Sequence, residues 1–214
     1  MAKKIFVWVA HPKGGSLCSA LANAYQFGCE AEGAEIRRME LSQMAFEKAF
    51  SGYGQGQDVL EPDLLKWQEN VAWADHVMFI HPYWWGSMPA EAKMVLDRAL
   101  TPGFAYKSHA RGVAWARLLT GKTAAVVVTS DTPPIIDTLM YWRSGRRVLK
   151  NQVLGFCGIK TRNALQLGSV KLADQSKIQS WFSKMEKMGT KAARTVGRRD
   201  ATLNTAPSQT HATA

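Results

Sequence analysis

The chain is poor in residues that could tie it together covalently or hold a structural metal. Its 214 residues include three cysteines, Cys18, Cys29 and Cys157, with no CxxC pair and no metal-ligand spacing, which argues against a disulfide framework or a zinc module. An odd thiol count in a chain without an obvious export signal implies reduced thiols and a cytoplasmic setting. Lys3 and Lys4 precede an apolar run over 5–10, too short for the roughly 7–15 residues of a signal core. No stretch approaches the roughly 18 uninterrupted apolar residues of a membrane span. Acidic residues are scarce, 17 against 27 Lys and Arg, for a formal net charge of +10. Neither an internal repeat nor a nucleic-acid module accompanies that charge.

Half of the positive excess is local. Between 184 and 199, the six cations Lys184, Lys187, Lys191, Arg194, Arg198 and Arg199 face Glu186 alone. A solvated helix end accounts for this, with cations placed favourably near a helix C-terminus. The same charge could steer a phosphate-bearing dinucleotide toward a site.

What is present is a rhythm. With 46% apolar and 21% charged residues, the chain has the composition of a globular protein and the length for one α/β domain. Runs over 5–10, 77–81 and 124–129 are apolar on both faces, as strands of a parallel sheet covered on both sides are. Weaker strand candidates lie over 35–41 and 161–167. Helices are expected over 16–32, 63–74, 90–100, 135–154 and 173–188. Strands alternating with helices of this length imply βαβ crossovers and a three-layer α/β sandwich with a five-stranded parallel sheet. Five strands suit the shorter, flavodoxin-like strand order.

Two long connections, 42–61 and 101–122, break the rhythm, and loops of that length tend to be functional or disordered. Residues 1–199 are read as one domain. Residues 200–214, rich in Thr, Ala, Ser, Gln and Asn, are read as a disordered tail.

Ligands of open α/β sheets bind beyond the carboxyl ends of the strands, and there the most distinctive segments fall. The first loop, Ala10-His11-Pro12-Lys13-Gly14-Gly15-Ser16-Leu17-Cys18, leads into a helix. Ser16 is a natural N-cap, and the helix amides suit a phosphate. No Gly-Lys-Ser/Thr follows, so the loop is not a Walker A motif; a plain capped turn is the simpler alternative. The loop after the third strand reads His81-Pro82-Tyr83-Trp84-Trp85-Gly86-Ser87-Met88-Pro89. Adjacent tryptophans in an extended segment point opposite ways, so both cannot be core. A rigid aromatic wall beside glycine suits a flat conjugated ring, or an oligomer contact, which aromatics also favour.

The segment from His81 to Lys93, continuing through Asp97-Arg98 to Gly103-Phe104-Ala105-Tyr106, resembles the signature of the NAD(P)H:quinone oxidoreductase family, which includes accessory oxidoreductases of potassium-efflux systems. The first loop resembles that family's flavin-phosphate loop. The resemblance, over roughly 3–190, implies a flavodoxin-like flavin-binding fold, FMN or FAD as cofactor, and NAD(P)H as co-substrate. It also implies a quinone-like acceptor and a homodimer with sites at the interface. It places His11, Ser16, Leu17 and Cys18 at the flavin phosphate and ribityl region. It places Pro82, Tyr83, Trp84, Trp85 and Gly86 at the edge and face of the isoalloxazine, with Phe104 and Tyr106 bordering the partner's acceptor pocket.

Where better-known members carry Thr-Thr-Gly-Gly after the fourth strand, this chain has Thr129-Ser130-Asp131-Thr132-Pro133. Backbone amides and hydroxyls there can still meet the pyrimidine edge, but Asp131 adds a charge. Trp84 and Trp85 are the expected walls of the reaction slot. Tyr141 is a weak substitute for the family's acceptor-pocket tyrosine; helix packing is the simpler reading of Tyr141 and Trp142. His76 and His109 are read as structural or surface residues. The expected reaction passes hydride from NAD(P)H to a quinone by a ping-pong scheme. A flavodoxin-type electron carrier, or a flavin-binding regulatory subunit of a membrane transporter, are the alternatives.

Overall fold

The computed structural model describes residues 2–48, 52, 59–108 and 114–194. Strands β1 (Lys4–Val9), β2 (Glu35–Glu40), β3 (His76–Pro82), β6 (Thr123–Thr129) and β7 (Lys160–Leu167) form an all-parallel sheet in the order β2-β1-β3-β6-β7. That order is flavodoxin-like, and the turning point of the chain lies between β1 and β3. A short antiparallel hairpin, β4 (Tyr106–Ser108) with β5 (Trp115–Arg117), stands outside it, within the connection expected over 101–122. Histidine 109 falls outside the described residues, as do 200–214 and most of the glycine-rich run over 51–57.

Strand alternation sorts the core into two halves. Ile5, Val7 and Val9, with Met78, Ile80, Ala125 and Val127, pack against helices α1 (Leu17–Glu30) and α7 (Gln175–Arg194). Phe6 and Trp8, with Val77, Phe79, Val126 and Val128, pack against α2 (Pro62–Trp73) and α3 (Ala90–Ala99). On this second face Trp8 meets Trp67 and Phe79 edge to face, with centroids 5.4 and 5.6 Å apart. β3 is buried along its whole length, which is why its sequence carries no polar alternation. His76, at its start, places Nδ1 2.7 Å from the Thr123 hydroxyl and is a buried structural residue.

The single helix expected over 135–154 is not formed. The chain makes α4 (Pro134–Leu139), passes Trp142 and Arg143 in the left-handed region (φ 53° and 56°), and makes α5 (Ser144–Arg147). A π-wound turn over Val148–Leu154 and α6 (Gly155–Cys157) follow. The break has a physical cause. It folds α5 back so that Arg146 reaches Asp137, a buried ion pair at 2.7 Å. A straight helix would set residues nine apart about 13.5 Å apart along its axis.

Candidate functional site

Three strand-end loops meet above neighbouring strands β1, β3 and β6. Each pair is joined by a contact. The His11 ring meets Trp84 edge-on at 5.9 Å, Cys18 Sγ lies 3.4 Å from Thr129 Oγ1, and the Tyr83 amide donates to the Thr129 carbonyl at 2.8 Å. The three segments expected to form the site are therefore adjacent.

In the first loop Ser16 is the N-cap of α1, its hydroxyl accepting from the Ser19 amide at 3.3 Å. Gly15, at φ 63°, makes the turn into the helix, a conformation that costs other residues about 1–2 kcal/mol. The first turn of α1 carries no acidic residue, so its amides and dipole face a potential anion without competition. Leu17 is half-buried. Cys18 does not line the site with its side chain: it is buried in the core beneath the loop, where burial pushes its thiol up to about 11. Only its backbone remains available to a phosphate. A cation that the sequence reading missed stands nearby. Arg38 binds Glu40 at 2.5 Å and the Ser19 hydroxyl at 3.0 Å, and so neutralises the carboxylate next to the helix start.

In the second loop Trp84 and Ser87 pair with each other's backbone at 2.9 and 3.2 Å around a two-residue turn. Trp85 and Gly86 hold φ 54° and 74° there. Two positive φ values define the hairpin turn that glycine and asparagine favour, and a tryptophan at the first of them is strained. The turn engages the amides of Trp84 and Ser87 and not those of Trp85 and Gly86. Neither tryptophan is core. Trp84 is half-exposed, and Trp85 is 104% exposed relative to its reference.

Below this turn sits a support that the sequence did not announce. A Cβ on Gly145 would lie 2.2 Å from the Gly86 carbonyl oxygen, so only glycine lets α5 approach so closely. Next to it, burial and then the Asp137 carboxylate push the Tyr83 phenol up to about 12. Arg146 stands beside the Tyr83 hydroxyl and partly offsets that rise. Tyr141 and Trp142 do not pack as helix residues: both are exposed, Trp142 by 72%.

In the third loop the hydroxyls turn inward. Ser130 donates its hydroxyl to the Thr132 carbonyl at 2.8 Å and accepts from Gln166 Nε2 at 2.8 Å, and its amide donates to Leu167. Thr129 is buried against Cys18. These groups hold the loop and are not offered to a ligand, contrary to the expectation for Thr129 and Ser130. Asp131 takes the Lys171 amide and ammonium, each at 3.1 Å, so the charge it adds is met by a cation.

Burial lowers the pKa of two histidines near these loops. His11 accepts the Lys13 amide at Nδ1 (3.0 Å), which leaves the proton of the neutral ring on Nε2; burial, then the Lys13 charge, lowers its pKa. His81 is buried, donates from Nδ1 to the Pro82 carbonyl at 2.9 Å, and is lowered to about 4 by burial. No metal-binding group of His, Cys, Asp or Glu occurs among the described residues. Among them, too, no helix is long and apolar enough to cross a membrane.

The sequence profile of the flavodoxin-like fold family matches residues 3–188. The chain is 29% identical over 182 residues to human ribosyldihydronicotinamide dehydrogenase [quinone], covering 74% of this chain and 78% of that one. It is 29% identical over 154 residues to a ribosyldihydronicotinamide dehydrogenase-like protein of Penicillium crustosum, covering 59% of this chain and 57% of that relative's length. The solved structure of the NAD(P)H:quinone oxidoreductase from Methanothermobacter marburgensis superposes with a TM-score of 0.74 at 24% identity, covering 89% of this chain and 98% of that one; at that identity the likeness speaks for the fold. With its profile matched over most of its length, the chain belongs to the flavodoxin-like fold family, beside relatives named as NAD(P)H and quinone oxidoreductases.

Proposed function

We propose that the protein is a flavin-dependent NAD(P)H oxidoreductase of the quinone reductase type. The observation that carries this reading is the pairwise contact among the three strand-end loops, which sets an anion-ready helix start beside a displayed tryptophan turn. The residues present fit a flavin. The α1 amides at Ser16, Leu17 and Cys18, with Arg38 nearby, would hold the phosphate. Tyr83, Trp84, Trp85 and Gly86, with the backbone at Asp131 and Thr132, would border the ring. A bound FMN or FAD supplies a two-electron hydride relay that no side chain here can supply. The protein's own part is to bind and orient. Trp84, braced by His11, would wall the slot, and the unengaged amides of Trp85 and Gly86 would stabilise negative charge at a ring edge.

NAD(P)H and the acceptor would use one slot in turn, giving parallel double-reciprocal lines. The exposed apolar face formed by Trp85, Leu139, Met140, Tyr141 and Trp142 supports a homodimer that covers it and completes the acceptor pocket; Tyr141 would contribute there. Transporter association remains a further role for the same fold, to be sought by co-purification.

The test is direct. The purified protein should be yellow, or take up FMN or FAD stoichiometrically, and mass analysis of the released flavin identifies which. Ser16→Ala should weaken flavin binding by more than its capping cost of about 1 kcal/mol. A colourless protein that titrates with neither flavin refutes the reading.

A further inference from the structure

The segment from Val148 to Cys157 forms one wall of a groove. Val148, Gln152 and Phe156, and likewise Val153 and Cys157, are four apart and so lie along one side of the segment; all five line a groove of about 320 Å³. The opposite wall is α3, through Leu96 and Leu100. Such a volume lies at the lower end of the roughly 300–1,000 Å³ of small-molecule sites.

The groove is apolar at its base and neutral at its rim. Leu96 and Cys157 are buried in its floor. The charged lining residues Lys93 and Asp97 pair with each other at 2.5 Å, so an ionic ligand finds little net charge to meet. The far end is fixed by the β4–β5 hairpin: Phe156 is stacked on Trp115 with centroids 4.6 Å apart and touched edge-on by Tyr106 at 5.1 Å. The near end lies within about one helical turn of the residue that supports the tryptophan turn. Val148 follows Gly145 by three residues, about 5 Å of helical rise, and Gly145 abuts the Gly86 carbonyl.

We propose that this groove holds the hydrocarbon side chain of a lipophilic quinone whose ring is reduced at the strand-end loops. The inference rests on the oxidoreductase reading above and narrows its acceptor to tailed, uncharged quinones. Each methylene laid in the groove leaves water, and two of them suffice for about a tenfold gain in binding.

The experiment compares two benzoquinones with the same head group, one bare and one with a decyl chain, as acceptors for the flavin-loaded enzyme with NAD(P)H. The decyl compound should show a KM at least about tenfold lower at similar kcat. Val153→Trp, and independently the exposed Gln152→Phe, should fill the groove and abolish that advantage while leaving turnover of the bare quinone unchanged. Calorimetric titration with 1-decanol should detect binding to the unaltered protein and its loss in both variants. Equal KM values for the two quinones, equal effects of the variants on both, or no decanol binding would overturn the proposal. Turnover of the bare quinone reports on the oxidoreductase reading alone, and decanol binding on the groove alone, so the two can fail separately.

Discussion

The two faces of the sheet are closed by opposite means. On one, α1 and α7 meet through small residues. A Cβ on Gly189 would lie 2.0 Å from the Tyr25 carbonyl oxygen, and one on Gly28 would lie 2.1 Å from that of Glu186. The seam is also hydrogen-bonded, Cys29 Sγ to the Gly189 carbonyl at 3.4 Å and Thr190 to that of Gly28 at 3.2 Å. At its end Arg194 clasps Glu32 at 2.7 Å. On the other face α3 and the 148–157 segment stand apart and leave a groove, with the irregular backbone of 134–147 supporting the tryptophan turn. Close backbone contact gives a permanent surface, whereas a broken helix held by a buried ion pair gives a shaped one.

Removing the buried ion pair should have the largest effect. Arg146→Ala should destabilise the fold by about 3–5 kcal/mol, because Asp137 is left charged and buried. The double variant Arg146→Met, Asp137→Leu should recover most of that loss in urea titrations, yet still bind flavin more weakly if the pair positions Tyr83 and not merely the core. Equal flavin affinity in the double variant and the unaltered protein would confine the pair to packing.

The seam should answer next. Gly189→Val forces α7 away from α1 and should cost about 1–3 kcal/mol, read as a lower denaturation midpoint, with flavin affinity and turnover at saturating substrate preserved. Loss of flavin binding in a folded Gly189→Val protein would mean that the two faces are coupled.

A graded effect, small per pH unit, belongs to the sheet between them. His81 is neutral in the folded protein down to about pH 4 and His76 down to about 3, both lowered chiefly by burial, whereas in the unfolded chain each takes up a proton near 6.5. Between those values the unfolded state binds more protons, so stability falls on acidification, by up to about 1.4 kcal/mol per pH unit for each histidine. His81→Phe should flatten the slope between pH 6.5 and 4. An unchanged slope would assign the acid sensitivity elsewhere.

Much of this was legible in the chain. Runs such as Ile5–Val9 and Val77–Ile80 read as buried strands, because a short, residue-by-residue apolar sequence satisfies both faces of a covered sheet at once. Ser16 was legible because capping is local chemistry: the residue, its amide partner and the helix it starts lie within four positions. The adjacent tryptophans could be read as not both core, since alternation forbids it. Contacts between distant positions could not be read in this way. Whether the Thr129 and Ser130 hydroxyls face a ligand or the protein was decided by Cys18 and Gln166, which come near only when β1, β6 and β7 align. The helix expected over 135–154 failed for the same reason, since its local propensity was overruled by a buried pairing across nine residues and by Gly145 fitting under Gly86. Periodicity and caps determined the layers, the strands and the place of the site. Only the tertiary structure decided which side chains face a ligand, because burying a charge or admitting a backbone contact depends on neighbours that the sequence does not place side by side.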